Sequence, residues 1–236
     1  MTEPLHVSAA RSGWFRRVWA LSTLLLLWST WRLWTPQLVF PQVPLFAAAD
    51  KVPVWLEWAA LGGIVTSLAC LLLAPRESRI WRIAAIWFAA LMLAMFCLDQ
   101  HRIQPWAWQF VFVALALAFL NRDQSFRYLR LLTLSVYFFS AVSKLDYTFL
   151  HGMGQEFLFD LCRFVGIDLE TWSDPVRLAG ASLFPVGELL VALLLAWPPT
   201  RRAGVWFAVA LHLLLILMLG PLGAGHKPGV LIWNAF

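Results

Sequence analysis

Charged residues are scarce in this chain: Asp, Glu, Lys and Arg make up 13% of its 236 residues. Soluble globular domains carry about a quarter, so a water-facing surface of ordinary polarity is excluded. Cysteine is sparser still, with Cys70, Cys97 and Cys162 the whole supply. No C-x-x-C, C-x-x-C-H or other metal-ligand spacing occurs, so no metal centre is expected. Cys70 sits inside an apolar run and reads as packing. Cys97 and Cys162 fall on one predicted side of a membrane, which leaves a disulfide open without establishing it. G-x-S-x-G, H-E-x-x-H and Walker sequences are also missing. Gly62 with Gly63, and Gly152 with Gly154, lack the lysine that a phosphate loop places after its glycines, so they read as close packing or a turn.

Hydrophobic residues fill the space that charge leaves: they are 61% of the chain, with 15 Trp and 18 Phe. That composition belongs to a membrane protein. A hydrocarbon core of roughly 30 Å needs about 20 apolar residues per helix. The sequence offers runs at residues 14–33, 54–73, 80–98, 106–120, 128–145, 178–197 and 203–222. The first resembles a signal peptide in having arginines before a leucine-rich core. Its length, its flanking tryptophans and the bulky RLWTPQLVF that follows favour a retained helix. After the last run, GPLGAGHKPG turns the chain and GVLIWNAF begins an apolar stretch too short to cross. The expected fold is all-α, a polytopic transmembrane helical bundle of seven spans plus an incomplete eighth, forming one domain over residues 1–236.

The net charge of +5 does not point to nucleic acid, because the basic residues are sorted by connection. Arg11, Arg16, Arg17, Arg76, Arg79, Arg82, Arg122, Arg127, Arg130, Arg201 and Arg202 fall on one side. Arg32, Lys51, Arg102 and Lys227 fall on the other. The positive-inside rule then places the N-terminus in the cytoplasm of an inner membrane of bacterial type. Acidic residues gather in the longest outer connection, residues 146–177. Within it EFLFDLCRFVGIDLE alternates apolar and charged residues at helical spacing, with Phe157, Leu158, Leu161, Phe164 and Val165 on one face. An interfacial helix is expected there.

Ionisable side chains in spanning helices are costly and mark function by default. Lys144, Glu188 and His212 stand out. Glu188 and His212 lie equally far from the turn WPPTRRAG, so antiparallel helices bring them to one depth, as a hydrogen-bonded pair, as a proton relay or as structural glue. Lys144 either snorkels toward headgroups or turns inward, where a desolvated amine can act as a general base. Asp146, two residues on, points elsewhere on a helix and is not its obvious partner. The short connection DQHRIQPWAWQ packs Asp99, His101, Arg102 and Gln104 together on the same outer side as Lys144, His151, Asp160 and His226. A polar pocket is expected at that end, suited to a small polar headgroup, a quinol ring or an ion.

The segment YFFSAVSKLDYTFLHG resembles vitamin K-dependent gamma-carboxylases and the related horizontally transferred transmembrane domain proteins. The shared positions are Tyr137, Ala141, Val142, Lys144, Leu145, Asp146, Phe149 and Gly152. ELLVALLL, a basic turn and a histidine in the next helix are similar to that family and to DoxX-like membrane proteins, and they bring in Glu188, Arg201, Arg202 and His212. The resemblance implies that Lys144 is the base that deprotonates a reduced quinone, with His101 assisting beside it and a quinol as the cofactor or substrate. The large soluble region of the carboxylases has no counterpart in this chain, which argues against carboxylation of a protein. Two other roles fit the residues: a non-catalytic accessory or scaffold that holds membrane lipids or a protein partner, and a proton-coupled transporter. Inverted repeats and broken helices, the usual marks of a transporter, are not evident.

Overall fold

The computed structural model describes residues 9–37, 41–75, 78–221, 225 and 228–235. Arg76, His226 and Lys227, which entered the charge and polarity pattern, lie outside the described residues, as does the side chain of Phe164. The described helices are α1 (Ala9–Ser29), α2 (Trp31–Trp34), α3 (Val54–Leu73), α4 (Arg79–Leu98), α5 (Pro105–Phe119), α6 (Arg122–Ser143), α7 (Tyr147–His151), α8 (Met153–Phe164), α9 (Asp174–Ala196), α10 (Arg201–Leu219) and α11 (Pro228–Ala235). Contacts divide the chain into two compact units, Met1–Leu129 and Arg130–Ala235.

Among the described residues, four helices are long and apolar enough to cross a membrane: α3, α4, α9 and α10, the last counted from Pro198. The chain is a polytopic all-α membrane protein. The expectation of seven spans plus an incomplete eighth is thereby corrected to four, and the reason lies in the other runs. Residues 14–33 are divided at Thr30 between α1 and α2, and the first half of α1 carries Arg11, Arg16 and Arg17. Helix α5 has 15 residues, about 22 Å at 1.5 Å per residue, short of a core of roughly 30 Å. Residues 128–145 belong mainly to α6, whose first half holds Arg122, Asp123, Arg127 and Arg130. The last apolar fragment is α11, with 8 residues.

In the first unit α3 packs against α1 and α4, and α4 packs against α5. Helix α4 shows why. Ala85, Phe88, Met92, Met95 and Phe96 recur at three- and four-residue intervals and are buried, while Ile80, Ile83, Ile86 and Trp87 on the other face are exposed. An apolar residue on every face leaves such a helix no aqueous side. Pro105 opens α5 at its first turn, where a missing N–H costs nothing. The Trp19 ring meets Phe88 and Phe110 edge-on at 5.4 and 6.1 Å. Arg16 donates to the Ala74 carbonyl at 3.1 Å and lies 5.4 Å over the Trp81 ring, so α1 begins at the same end as the α3–α4 turn.

In the second unit α9 packs against α8 and α10, and α10 against α11. In the long connection α7 and α8 are followed by a 3-10 turn at Leu169–Thr171. Leu158 and Cys162, four residues apart, bury with Leu169 against Trp172 and Phe184. Phe157 meets Phe149 and Phe184 edge-on, while Val165, beyond the helix end, is exposed. All three cysteines are free.

Gly204 lets α10 approach α9 closely: a Cβ there would meet the Leu194 backbone at 3.0 Å, whereas a Cβ at Gly62 would meet nothing within 4 Å. Backbone cannot yield as a flexible side chain can, so Gly204→Ala is expected to cost about 1–3 kcal/mol. Gly62→Ala is expected to cost nothing. Thermal unfolding in detergent checks the contrast, and equal midpoints for the two variants would remove the close-packing argument.

Candidate functional site

A charge held in an apolar interior needs a partner, and each unit contains such a pairing. In the first unit Glu57, in the first turn of α3, is 3% exposed and Arg102 is 0% exposed. Arg102 Nη2 donates to Glu57 Oε2 at 2.6 Å, and Arg102 Nε donates to the Leu33 carbonyl at 3.1 Å. Gln42 Nε2 donates to both oxygens of the same carboxylate, at 3.2 and 3.0 Å. The pair thus ties together the 3-10 turn Gln100–Arg102, the start of α3, the end of α2 and the irregular segment around Gln42. Sequence reasoning passed over Glu57, although an acid inside the apolar run WLEWAAL was a visible signal.

Asp99 is buried at the end of α4, and its Oδ1 accepts from the His101 backbone N–H at 3.1 Å and from the Val43 N–H at 3.4 Å. The His101 Nδ1 contacts the same oxygen at 2.8 Å, while the side chain of His101 is 60% exposed. Gln104 donates from Nε2 to the His101 carbonyl at 2.7 Å and stands immediately before α5. Asp99, His101 and Gln104 are therefore one local cluster, in which the carboxylate organises the turn and orients the imidazole.

The second unit holds the other group. Lys144 turns inward: its Nζ donates to Glu188 Oε1 and, at 2.7 Å, to Ser140 Oγ. Glu188 is 9% exposed, and its Oε2 is buried without a hydrogen-bond partner. Asp146 takes no part in this pair. Its Oδ1 accepts from the Phe149 N–H at 2.6 Å and caps α7, the ordinary role of an aspartate at a helix start.

His212 does not pair with Glu188, and both its ring nitrogens are engaged elsewhere. Asn234 Nδ2 donates to the Val230 carbonyl at 2.9 Å, which turns the amide Oδ1 toward His212 Nδ1 at 3.2 Å. A hydrogen on Nδ1 then leaves Nε2 to accept from the Tyr137 hydroxyl at 2.6 Å. Burial, and after it the Glu188 carboxylate, push the Tyr137 hydroxyl above its ordinary pKa. Equal distance from the α9–α10 turn does not make Glu188 and His212 partners, because other helical chain packs beside both. Tyr137 of α6 and Lys144, just beyond the end of that helix, supply the partners of His212 and Glu188, and an ammonium neutralises a buried carboxylate where a neutral imidazole does not. Tyr137, Ser140 and Lys144 recur at helical spacing up to and just past the end of α6, the signal that would have grouped them.

Pro185 lies inside α9, three residues before Glu188. Having no N–H, it gives the Ala181 carbonyl no helical donor, one turn from the ion pair. Among the described residues no group of three His, Cys, Asp or Glu side chains is arranged to hold a metal. Two surface cavities are described, one lined by Leu56, Leu91 and Cys97 among others, the second by His151, Gln155, Asp174, Pro175 and Leu178. Lys144, Glu188, His212 and the Asp99 cluster line neither.

Removing one member of the buried pair in the first unit leaves an uncompensated charge. Arg102→Met is expected to destabilise the protein by about 3–5 kcal/mol, and the double change Glu57→Met with Arg102→Met to recover most of that loss. Denaturation of the single and double variants in detergent measures the difference. A double variant no more stable than the single one would show that the pair holds the fold by shape and not by charge.

No protein-family model, curated protein or solved structure matches this chain. The functional reading therefore starts from the geometry of the two polar groups.

Proposed function

We propose that this membrane protein binds a quinol, or a related lipid bearing a hydroxyl head, at the Lys144–Glu188 pair. The observation that carries the reading is the second carboxylate oxygen of Glu188, buried and without a partner while the first is held by Lys144. A buried acceptor left unpaired is costly, and a phenolic O–H donating to it removes that cost without breaking the ion pair. The Tyr137–His212 pair on the neighbouring turns of α6 and α10 supplies aromatic surface for a ring. The resemblance of YFFSAVSKLDYTFLHG to the gamma-carboxylase-like family supports the same site, since the lysine that the resemblance implies as the base is Lys144. The assisting role of His101 rests on that resemblance alone.

The face is proposed on charge. Arg79 and Arg82 follow the α3–α4 turn, and Arg201 and Arg202 follow the α9–α10 turn. The positive-inside rule puts both turns in the cytoplasm of a bacterial inner membrane, and Arg16 brings the start of α1 to the same end of its unit. A second reading, a non-catalytic accessory protein, is favoured by one observation: the Lys144 ammonium already has Ser140 and Glu188 as acceptors.

Calorimetric titration of menadiol into protein held in nanodiscs separates the two. Glu188→Gln is expected to weaken binding about tenfold, or 1.4 kcal/mol. Lys144→Arg keeps a positive charge beside Glu188, so it should retain binding, whereas Lys144→Ala should lose it. Menadiol binding that is the same in the wild type, Glu188→Gln and Lys144→Ala would eliminate the quinol site and leave the accessory role.

A further inference from the structure

The first unit contains an apolar cavity that the reading above does not use. Its volume is about 590 Å³, within the range of small-molecule sites. One wall is α3, through Leu56 and Ala60, and the other is α4, through Leu91, Ala94 and Cys97. The segment before α3 closes one end with Phe46, Ala49 and Val52. That segment is pinned to the end of α4: the Leu45 N–H donates to the Cys97 carbonyl at 2.9 Å, and the Gln100 N–H donates to the Val43 carbonyl at 2.8 Å. Its roof is therefore built in place by backbone hydrogen bonds.

We infer that this cavity holds one acyl chain of a membrane phospholipid, with the phosphate at Lys51. Both walls are helices of membrane-crossing length and composition, so the medium at the mouth of the cavity is hydrocarbon. The lining offers almost no polar group for any other ligand to bond. The headgroup level is marked by Trp55 and Trp58, which are exposed on the first turns of α3, where tryptophan belongs at a membrane interface. Lys51 stands between the lining residues Ala49 and Val52 on the 3-10 turn Ala49–Lys51, and it is exposed. No ion pair to it is present among the described residues. An ammonium on the roof of an apolar slot, at interface depth, complements a lipid phosphate with its chain below. Asp50, exposed on the same turn, disfavours a headgroup with further negative charge near it.

The protein in phosphatidylethanolamine vesicles, doped with a phospholipid carrying a diazirine in mid-chain, tests the assignment. After irradiation, label should concentrate on residues 56–60 and 91–98 about tenfold over the lipid-facing Ile83 and Trp87, equivalent to 1.4 kcal/mol of preference. Excess unlabelled phospholipid should abolish the enrichment, and a diacylglycerol without phosphate should compete much less well. Ala60→Leu and Ala94→Leu fill the cavity from opposite walls, and each should remove the enrichment. If either fails to fold, the other variant and the competition series still decide. Equal labelling of cavity and outward face would overturn the proposal, as would a cavity left unlabelled because a second copy or another protein covers it. Equal competition by diacylglycerol would overturn the place given to Lys51.

Discussion

Charge in an apolar medium must be neutralised close by, and the polar side chains of this protein are arranged around that requirement. Hydrocarbon outside and packed apolar side chains inside leave no bulk water to solvate an ion. Arg102 and Glu57 meet the requirement completely: both are enclosed, and Gln42 and the Leu33 carbonyl use the bonding capacity that the pair leaves over. Lys144 and Glu188 meet it in part, since one carboxylate oxygen has no partner. A closed pair fixes structure, and a pair with a spare acceptor keeps one hydrogen-bonding position open.

The first unit shows how a connection becomes rigid without regular structure. The segment ahead of α3 has little helix of its own, yet backbone bonds from Leu45 and to Val43 fasten it to the end of α4. Asp99 supports the same junction by accepting from Val43 and from His101. The dense polar sequence between α4 and α5 therefore serves first as a fastening for neighbouring chain. The imidazole of His101 is its outward-facing product.

Much of the fold was legible because an apolar run in a chain so poor in charge has little choice but helix. The number of spans was not, since run length alone does not weigh internal arginines or a break. Residues 14–33 looked continuous, yet the chain breaks at Thr30, and arginines occupy the first half of α1. In the site, the inward turn of Lys144 was one of two alternatives that the residues left open, and Asp146 was legible as a loop-start residue. The partner of Lys144 was not, because Glu188 lies 44 residues away and only packing brings it close. The Glu57–Arg102 contact, across 45 residues, was hidden for the same reason.

Pro185 gives the second pair a mechanical setting that the first lacks. Helix α9 is joined across that turn by one backbone bond fewer than a regular helix has. Bending there requires no further bond to be broken. Glu188 thus stands three residues past the weakened turn, so any bend made there would change its reach to Lys144. The carboxylate stands just past a missing backbone bond, while Arg102 and Glu57 stand where the backbone is fastened to neighbouring chain.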